Sequence, residues 1–211
     1  MPAKLAGYPS MEPFEPDVSK WEAWKPAEVA RRLAGVDARW SVIAGWSLDL
    51  FRGRQTREHE DLEIAVPESE HAAIVDALAG FEHFAIRDGL AAPVSAESLE
   101  GTHQTWVRER RTGIWRVDVI REPWEGDVWI CRRNPSIRLP GSKVIARTAD
   151  GIPYQQPEIA LLFKAKHTRD KDEADFENVL PLLGLDRRAW LASALKRVHP
   201  GHAWIARLGA R

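Results

Sequence analysis

The sequence has almost no cysteine: Cys131 stands alone in 211 residues, which excludes an internal disulfide and suits a reducing compartment. It also lacks long apolar runs. No stretch approaches the ~20 apolar residues of a membrane helix, and the N-terminus carries prolines and charges where a signal peptide has an apolar core. Neither membrane spanning nor secretion is expected, and the chain reads as cytoplasmic. Net charge is nearly absent too, with 30 basic against 31 acidic side chains. That removes the positive field on which non-specific nucleic-acid binding depends, so a small-molecule partner is the better expectation. No internal repeat and no low-complexity tract is present.

What is present is an ordinary globular composition, 44% hydrophobic and 29% charged, in a chain long enough to bury roughly two-thirds of its unfolded surface. Ten tryptophans are spread from Trp21 to Trp204, as core or pocket-wall residues whose indole N–H groups need partners. Residues 1–25 form a proline-rich extension expected to wrap the surface. An α/β core with a mixed sheet is predicted over 26–155 and a helical subdomain over 156–211.

Within the core, Pro26 to Ala34 reads as a helix with proline in its first turn, and Trp40 to Ala44 as a short strand. A small-residue turn at Gly45 leads into one or two helical turns, Trp46 to Phe51, closed by Gly53. Asp61 to Val66 alternates as a strand, and Pro67 to Leu78 follows helical spacing. Further strands are expected at 83–87, 102–108, 115–120 and 128–131, with Thr112-Gly113 as a hairpin turn. After an extended stretch over 143–155, helices are predicted over 157–166, 171–182 and 186–198.

Two carboxylates stand out. Asp61 and Glu63 are two apart in a predicted strand, so they leave the same face with Cα atoms about 6.6 Å apart. Such a pair can hold Mg2+, whose ligands are hard oxygens, with phosphate oxygens completing the shell. It can equally be the solvated face of an edge strand. Upstream, Ala44-Gly45-Trp46-Ser47 places a small-residue turn at a helix N-terminus, where backbone N–H groups can receive phosphates. Arg54, Arg57 and His59 lie in the connector, placed either to reach phosphates or to brace the loop.

The combination Gly45-Trp46-Ser47 followed by Asp61-Leu62-Glu63 resembles the signature of the DNA polymerase beta-like nucleotidyltransferase superfamily. The longer run from Ala44 to Asp61 is similar to aminoglycoside 2''-nucleotidyltransferases (adenylyltransferases), and the likeness continues through Pro157–Lys166, Arg169–Phe176 and Pro200–Trp204. Two positions differ: Ala44 stands where relatives often have glycine, and Glu63 where many have aspartate.

The resemblance implies an enzyme that uses two Mg2+ ions to transfer a nucleoside monophosphate, AMP from ATP, to a hydroxyl of a small acceptor such as an aminoglycoside-like antibiotic. Asp61 and Glu63 would hold the metals, and Asp118 would be a third site carboxylate that binds metal or deprotonates the acceptor. The alternative for Asp118 is a salt bridge to Arg116 or Arg108. Gly45, Ser47 and Arg57 would steady the phosphates, together with Lys164 or Lys166, which point about 160° apart on a helical wheel. Asp172 is expected to cap its helix or pair with a lysine of the preceding one, and Asp49 to partner the arginine-rich loop. Two other readings fit the same residues: a nucleotide-binding or sensing module with little turnover, and a nucleotidyltransferase acting on a macromolecule.

Overall fold

The computed structural model describes residues 12–209. In chain order they form α1 (Pro26–Arg32), β1 (Ser41–Val42), α2 (Ala44–Arg52), β2 (Glu63–Pro67) and α3 (His71–Ala77). Strands β3 (Glu82–Arg87), β4 (Leu90–Pro93), β5 (Gln104–Arg108) and β6 (Trp115–Glu122) follow. Short strands β7 (Trp124–Glu125), β8 (Val128–Ile130), β9 (Arg138–Pro140), β10 (Ile145–Arg147) and β11 (Pro153–Gln155) come next. Helices α4 (Pro157–Lys164), α5 (Asp170–Val179), α6 (Leu185–Val198) and α7 (Trp204–Gly209) complete the chain. Both helix and a mixed sheet are present, as the alternation of patterns predicts. No helix among the described residues is long and apolar enough to cross a membrane.

The backbone groups into two compact units that do not follow chain order, residues 12–39 with 60–121 and residues 40–59 with 122–209. In the first unit the strand order is β2-β6-β5-β3-β4. β3 pairs antiparallel with both β4 and β5, and β5 with β6. The β5–β6 hairpin turns where expected: Gly113, at φ 73°, donates its N–H to Glu109 O at 2.9 Å. A positive φ there is why glycine occupies the turn. Phe84, Ile86, Ala91 and Trp115 form a buried cluster, and Phe14, Trp21 and Trp106 pack against it.

The second unit pairs β1 parallel to β11 and β10 antiparallel to β11, and carries a separate β7-β8-β9 sheet. Its core joins Leu48 of α2 to Ile159, Leu161 and Leu162 of α4, Phe176 of α5, Leu191 and Leu195 of α6 and Trp204 of α7. Pro157 opens α4 at a position where its missing N–H leaves no bond unmade. Gly53 ends α2 in the left-handed conformation, its N–H on Leu50 O at 3.2 Å.

Several boundaries differ from expectation. The second strand starts at Glu63, so Asp61 lies in the connector just before it. Glu68–Glu70 is a 3-10 turn and α3 begins only at His71, since Pro67 still belongs to β2. Helix α4 stops at Lys164, leaving Lys166 beyond its end. Leu90–Pro93 and Arg138–Pro140 have little strand signal of their own, and they are strands because β3 and β8 offer them partners.

Candidate active site

The carboxylates belong to the first unit. Asp61 is exposed, Leu62 is fully buried and Glu63, at the head of β2, is partly exposed. Leu62 O accepts the backbone N–H of Asp118 at 2.9 Å, which anchors the Asp61–Glu63 segment beside the middle of β6. Asp118 itself is 5% exposed. The Gln104 side-chain amide, from the neighbouring strand, donates to its Oδ2 at 2.8 Å, while its buried Oδ1 has no well-formed hydrogen bond and the Trp106 side chain is the other group that bonds weakly to the carboxyl. Burial first, and the nearby charge of Glu63 second, hold its proton well above the usual carboxylate range against the hydrogen bonds of Gln104 and Trp106, with Asp61 adding to the rise.

The salt-bridge alternative for Asp118 is absent from this structure. Arg116 is taken by Glu22 at 3.1 Å and Glu109 at 2.9 Å, and Arg108 by Glu82 at 2.9 Å. As the side chains stand, no three of His, Cys, Asp or Glu among the described residues converge closely enough to hold a metal ion. The donor chemistry nevertheless fits a hard divalent cation: Asp118 lies in the field of Glu63 and Asp61, and its buried Oδ1 has no well-formed hydrogen bond.

The glycine turn belongs to the second unit. Ala44 adopts φ 55°, a left-handed value that a β-carbon disfavours. Ser47 is fully buried, and its hydroxyl donates to Ala44 O at 2.8 Å. At Gly45, an added β-carbon would lie 2.5 Å from Arg57 Nη2 and 2.7 Å from His59 Cε1. Only glycine admits that approach. His59 in turn stacks on Trp46 at 4.4 Å and shares a 2.6 Å hydrogen bond with Asp49, and Asp49 also accepts from the Thr56 N–H at 3.1 Å. Asp49 is thus a structural partner of the connector, through His59 and Thr56.

Arg57 forms a two-bond pair with Asp175 of α5, Nε to Oδ1 at 3.2 Å and Nη2 to Oδ2 at 3.1 Å. Lys164, 8% exposed, meets the same group: its Nζ lies 2.8 Å from Asp172 Oδ1 and 2.9 Å from Asp175 Oδ2. Both readings of Asp172 hold at once, since its Oδ2 also accepts the Arg169 backbone N–H at 3.2 Å and caps α5. Lys166 is exposed. The structure therefore brings together Gly45, Arg57 and Lys164 through Asp175, and separately Asp61, Glu63 and Asp118. Gln104 and Asp175 are the partners that local sequence reading misses, because cross-strand register and helix packing leave no mark at short range.

Residues 27–102 match the family model of aminoglycoside-2''-adenylyltransferase. The span includes Gly45, Ser47, Arg57, Asp61 and Glu63 but not Asp118 or the lysines. No curated protein matches the chain by sequence. Among solved structures it is similar to the lincosamide antibiotic adenylyltransferase LnuA with lincomycin bound, at TM-score 0.54 and 16% identity over 74% of this chain and 95% of that one. It is also similar to ANT(2'')-Ia in complex with adenylyl-2''-tobramycin, at TM-score 0.55 and 13% identity over 82% of this chain and 97% of that one. The solution structure of the antibiotic-resistance factor ANT(2'')-Ia gives TM-score 0.56 and 12% identity, with 81% and 89% covered.

Proposed function

We propose that this chain, which has the nucleotidyltransferase fold, transfers AMP from ATP to a hydroxyl of a small antibiotic-like acceptor and releases pyrophosphate. The carrying observation is Asp118: a buried carboxyl, one oxygen of which lacks a well-formed hydrogen bond, set in the field of Glu63 and Asp61. Residues that only stabilise a fold are rarely left so. Asp61, Glu63 and Asp118 would hold the magnesium. When bound, the ion would neutralise the three acids, favour the ionised form of Asp118 and lower the pKa of the acceptor hydroxyl.

The rest falls to the chain's own groups. The acceptor oxygen attacks the α-phosphorus, the bond to the pyrophosphate oxygen breaks, and the hydroxyl proton passes to Asp118. Gln104 keeps the Asp118 carboxyl in one orientation. Gly45 leaves room for Arg57, which Asp175 holds in place, while Lys166 remains exposed as a charge for the triphosphate; Lys164 would support Arg57 through their shared carboxylate. The buried lone Cys131 fits a reducing compartment, and we place the protein in the cytoplasm.

The test is pyrophosphate release with Mg2+, each ribonucleoside triphosphate and a panel of aminoglycosides and lincosamides, with Asp61→Asn as control. Acceptor-dependent release that the variant loses supports the transferase. Nucleotide binding without release supports a second reading, a binding module with little turnover, which the commitment of the Ser47 hydroxyl to Ala44 O favours. Absence of nucleotide binding would remove both.

A further inference from the structure

The family match begins at residue 27, immediately past a segment with a place of its own in the first unit. Phe14 and Ala91 exchange backbone hydrogen bonds at 3.0 and 2.8 Å, Glu22 N donates to Trp115 O at 3.1 Å, and Trp24 N to Arg116 O at 3.0 Å. Residues 14–24 thus lie as a strap along the sheet. The strap brings Trp21 against Trp106, ring centroids 5.2 Å apart and planes at 75°. Trp106 sits directly opposite Asp118 in the β5–β6 register. Both indoles keep part of their surface in solvent, whereas Trp115 behind them is fully buried.

We infer that Trp21, supplied by the strap, and Trp106 form an angled aromatic shelf that holds the ammonium-bearing ring of the acceptor beside Asp118. The inference rests on the transferase reading for its placement, because the group that receives the acceptor proton fixes which substrate lies next to it. Indole faces attract ammonium groups and pack against ring C–H bonds, so two indoles set at an angle offer a cationic ring an apolar seat with an electrostatic pull of its own. Trp106 forms one side of the shelf within the sheet, and Trp21 forms the other from outside the family match, so acceptor choice would depend in part on the strap.

The experiment is calorimetric titration of tobramycin, and separately of ATP with Mg2+, into the full chain and its Trp21→Ala, Trp21→Phe and Phe14→Ala variants. Trp21→Ala should weaken tobramycin binding about tenfold and leave ATP binding within about twofold, while Trp21→Phe restores most of the acceptor affinity. Phe14→Ala loosens the strap at its β4 end while leaving both indoles in place, and should weaken tobramycin binding clearly less than Trp21→Ala does. Equal loss in Phe14→Ala and Trp21→Ala would make the strap a structural brace and overturn the inference. So would unchanged binding in Trp21→Ala, equal loss of ATP affinity, or no tobramycin binding by the unmodified chain. Pyrophosphate release in the same samples keeps the two ideas apart: Trp21-dependent tobramycin binding without release retains the shelf and removes the transferase.

Discussion

The α-carbon of Gly45 faces the guanidinium of Arg57 so closely that a methyl group there would sit 2.5 Å from Nη2. Arg57 cannot simply swing away, because Asp175 holds it through two bonds, and the His59 ring behind it is fixed by Trp46 and Asp49. Gly45→Ala should therefore destabilise the fold by about 1–3 kcal/mol through overpacking. Urea unfolding measures this. Adding Arg57→Ala should return part of the loss, and strictly additive effects would show that the two residues do not compete for that space.

One residue earlier the strain runs the other way. Ala44 holds φ 55° at the start of α2, where a β-carbon crowds the backbone. Ala44→Gly relieves this and gives back some chain entropy, so a net gain of about 0.5–1 kcal/mol is expected. A higher thermal midpoint checks it, and a fall of more than a degree would argue against strain at this turn.

Lys164 is the shared cation of two nearly buried acids, Asp172 and Asp175. Lys164→Met keeps the stem and removes the charge, leaving the acids to repel, at a cost of about 3 kcal/mol or more. Asp172 is held down to about 2, burial resisting and the bonds from Arg169 and Lys164 overcoming it. A depressed carboxylate stabilises fully above its ordinary pKa near 3.9 and loses that contribution as pH falls through its folded value. In Lys164→Met that contribution shrinks, so the fall in unfolding free energy between about pH 4 and 2 should be shallower than in the unmodified chain, on a baseline that is lower at neutral pH.

His71 acts in a higher window. Burial first, then the charges of Arg121 and His83, lower its pKa from 6.5 to about 4. Below 6.5 the unfolded chain binds a proton that the folded chain refuses, so stability falls as pH falls from 6.5 towards 4. By pH 5 the loss is about 2 kcal/mol. His71→Gln should flatten the slope of unfolding free energy between pH 7 and 5, and an unchanged slope would assign it to other groups, His83 first, whose pKa is also lowered by burial.

Asp118→Asn keeps the size of the side chain and removes a charge that its surroundings resist. Acceptor-dependent pyrophosphate release should drop at least about 100-fold, with the urea midpoint unchanged or raised. A variant that loses activity only by unfolding would speak for a structural carboxyl.

Much of the fold was legible because its signals are local. Gly53 ends α2, Pro157 opens α4, Gly113 turns the β5–β6 hairpin, and alternation marks β2 and β6, since capping, φ preference and side-chain period act within a few residues. Asp61 and Glu63 stand two apart in sequence, but only Glu63 lies in β2, and the close approach of Arg57 and His59 to Gly45 leaves no local mark. Element ends were less legible, as at Glu63, at Lys164 and at His71, where Pro67 stays in β2 and delays α3.

The sequence by itself singled out the acid pair Asp61 and Glu63 and the turn at Gly45 as candidates for chemistry, through their spacing along the chain. Only the tertiary structure decided their company. Register put Gln104 and Trp106 beside Asp118, helix packing gave Lys164 to Asp172 and Asp175, and Arg116 went to Glu22 and Glu109 instead of Asp118. Trp115 Nε1 finds its acceptor at Asp17 O, 98 residues away along the chain. Buried polar groups must be paired by whatever the fold brings near, and no local pattern encodes a partner chosen at that distance.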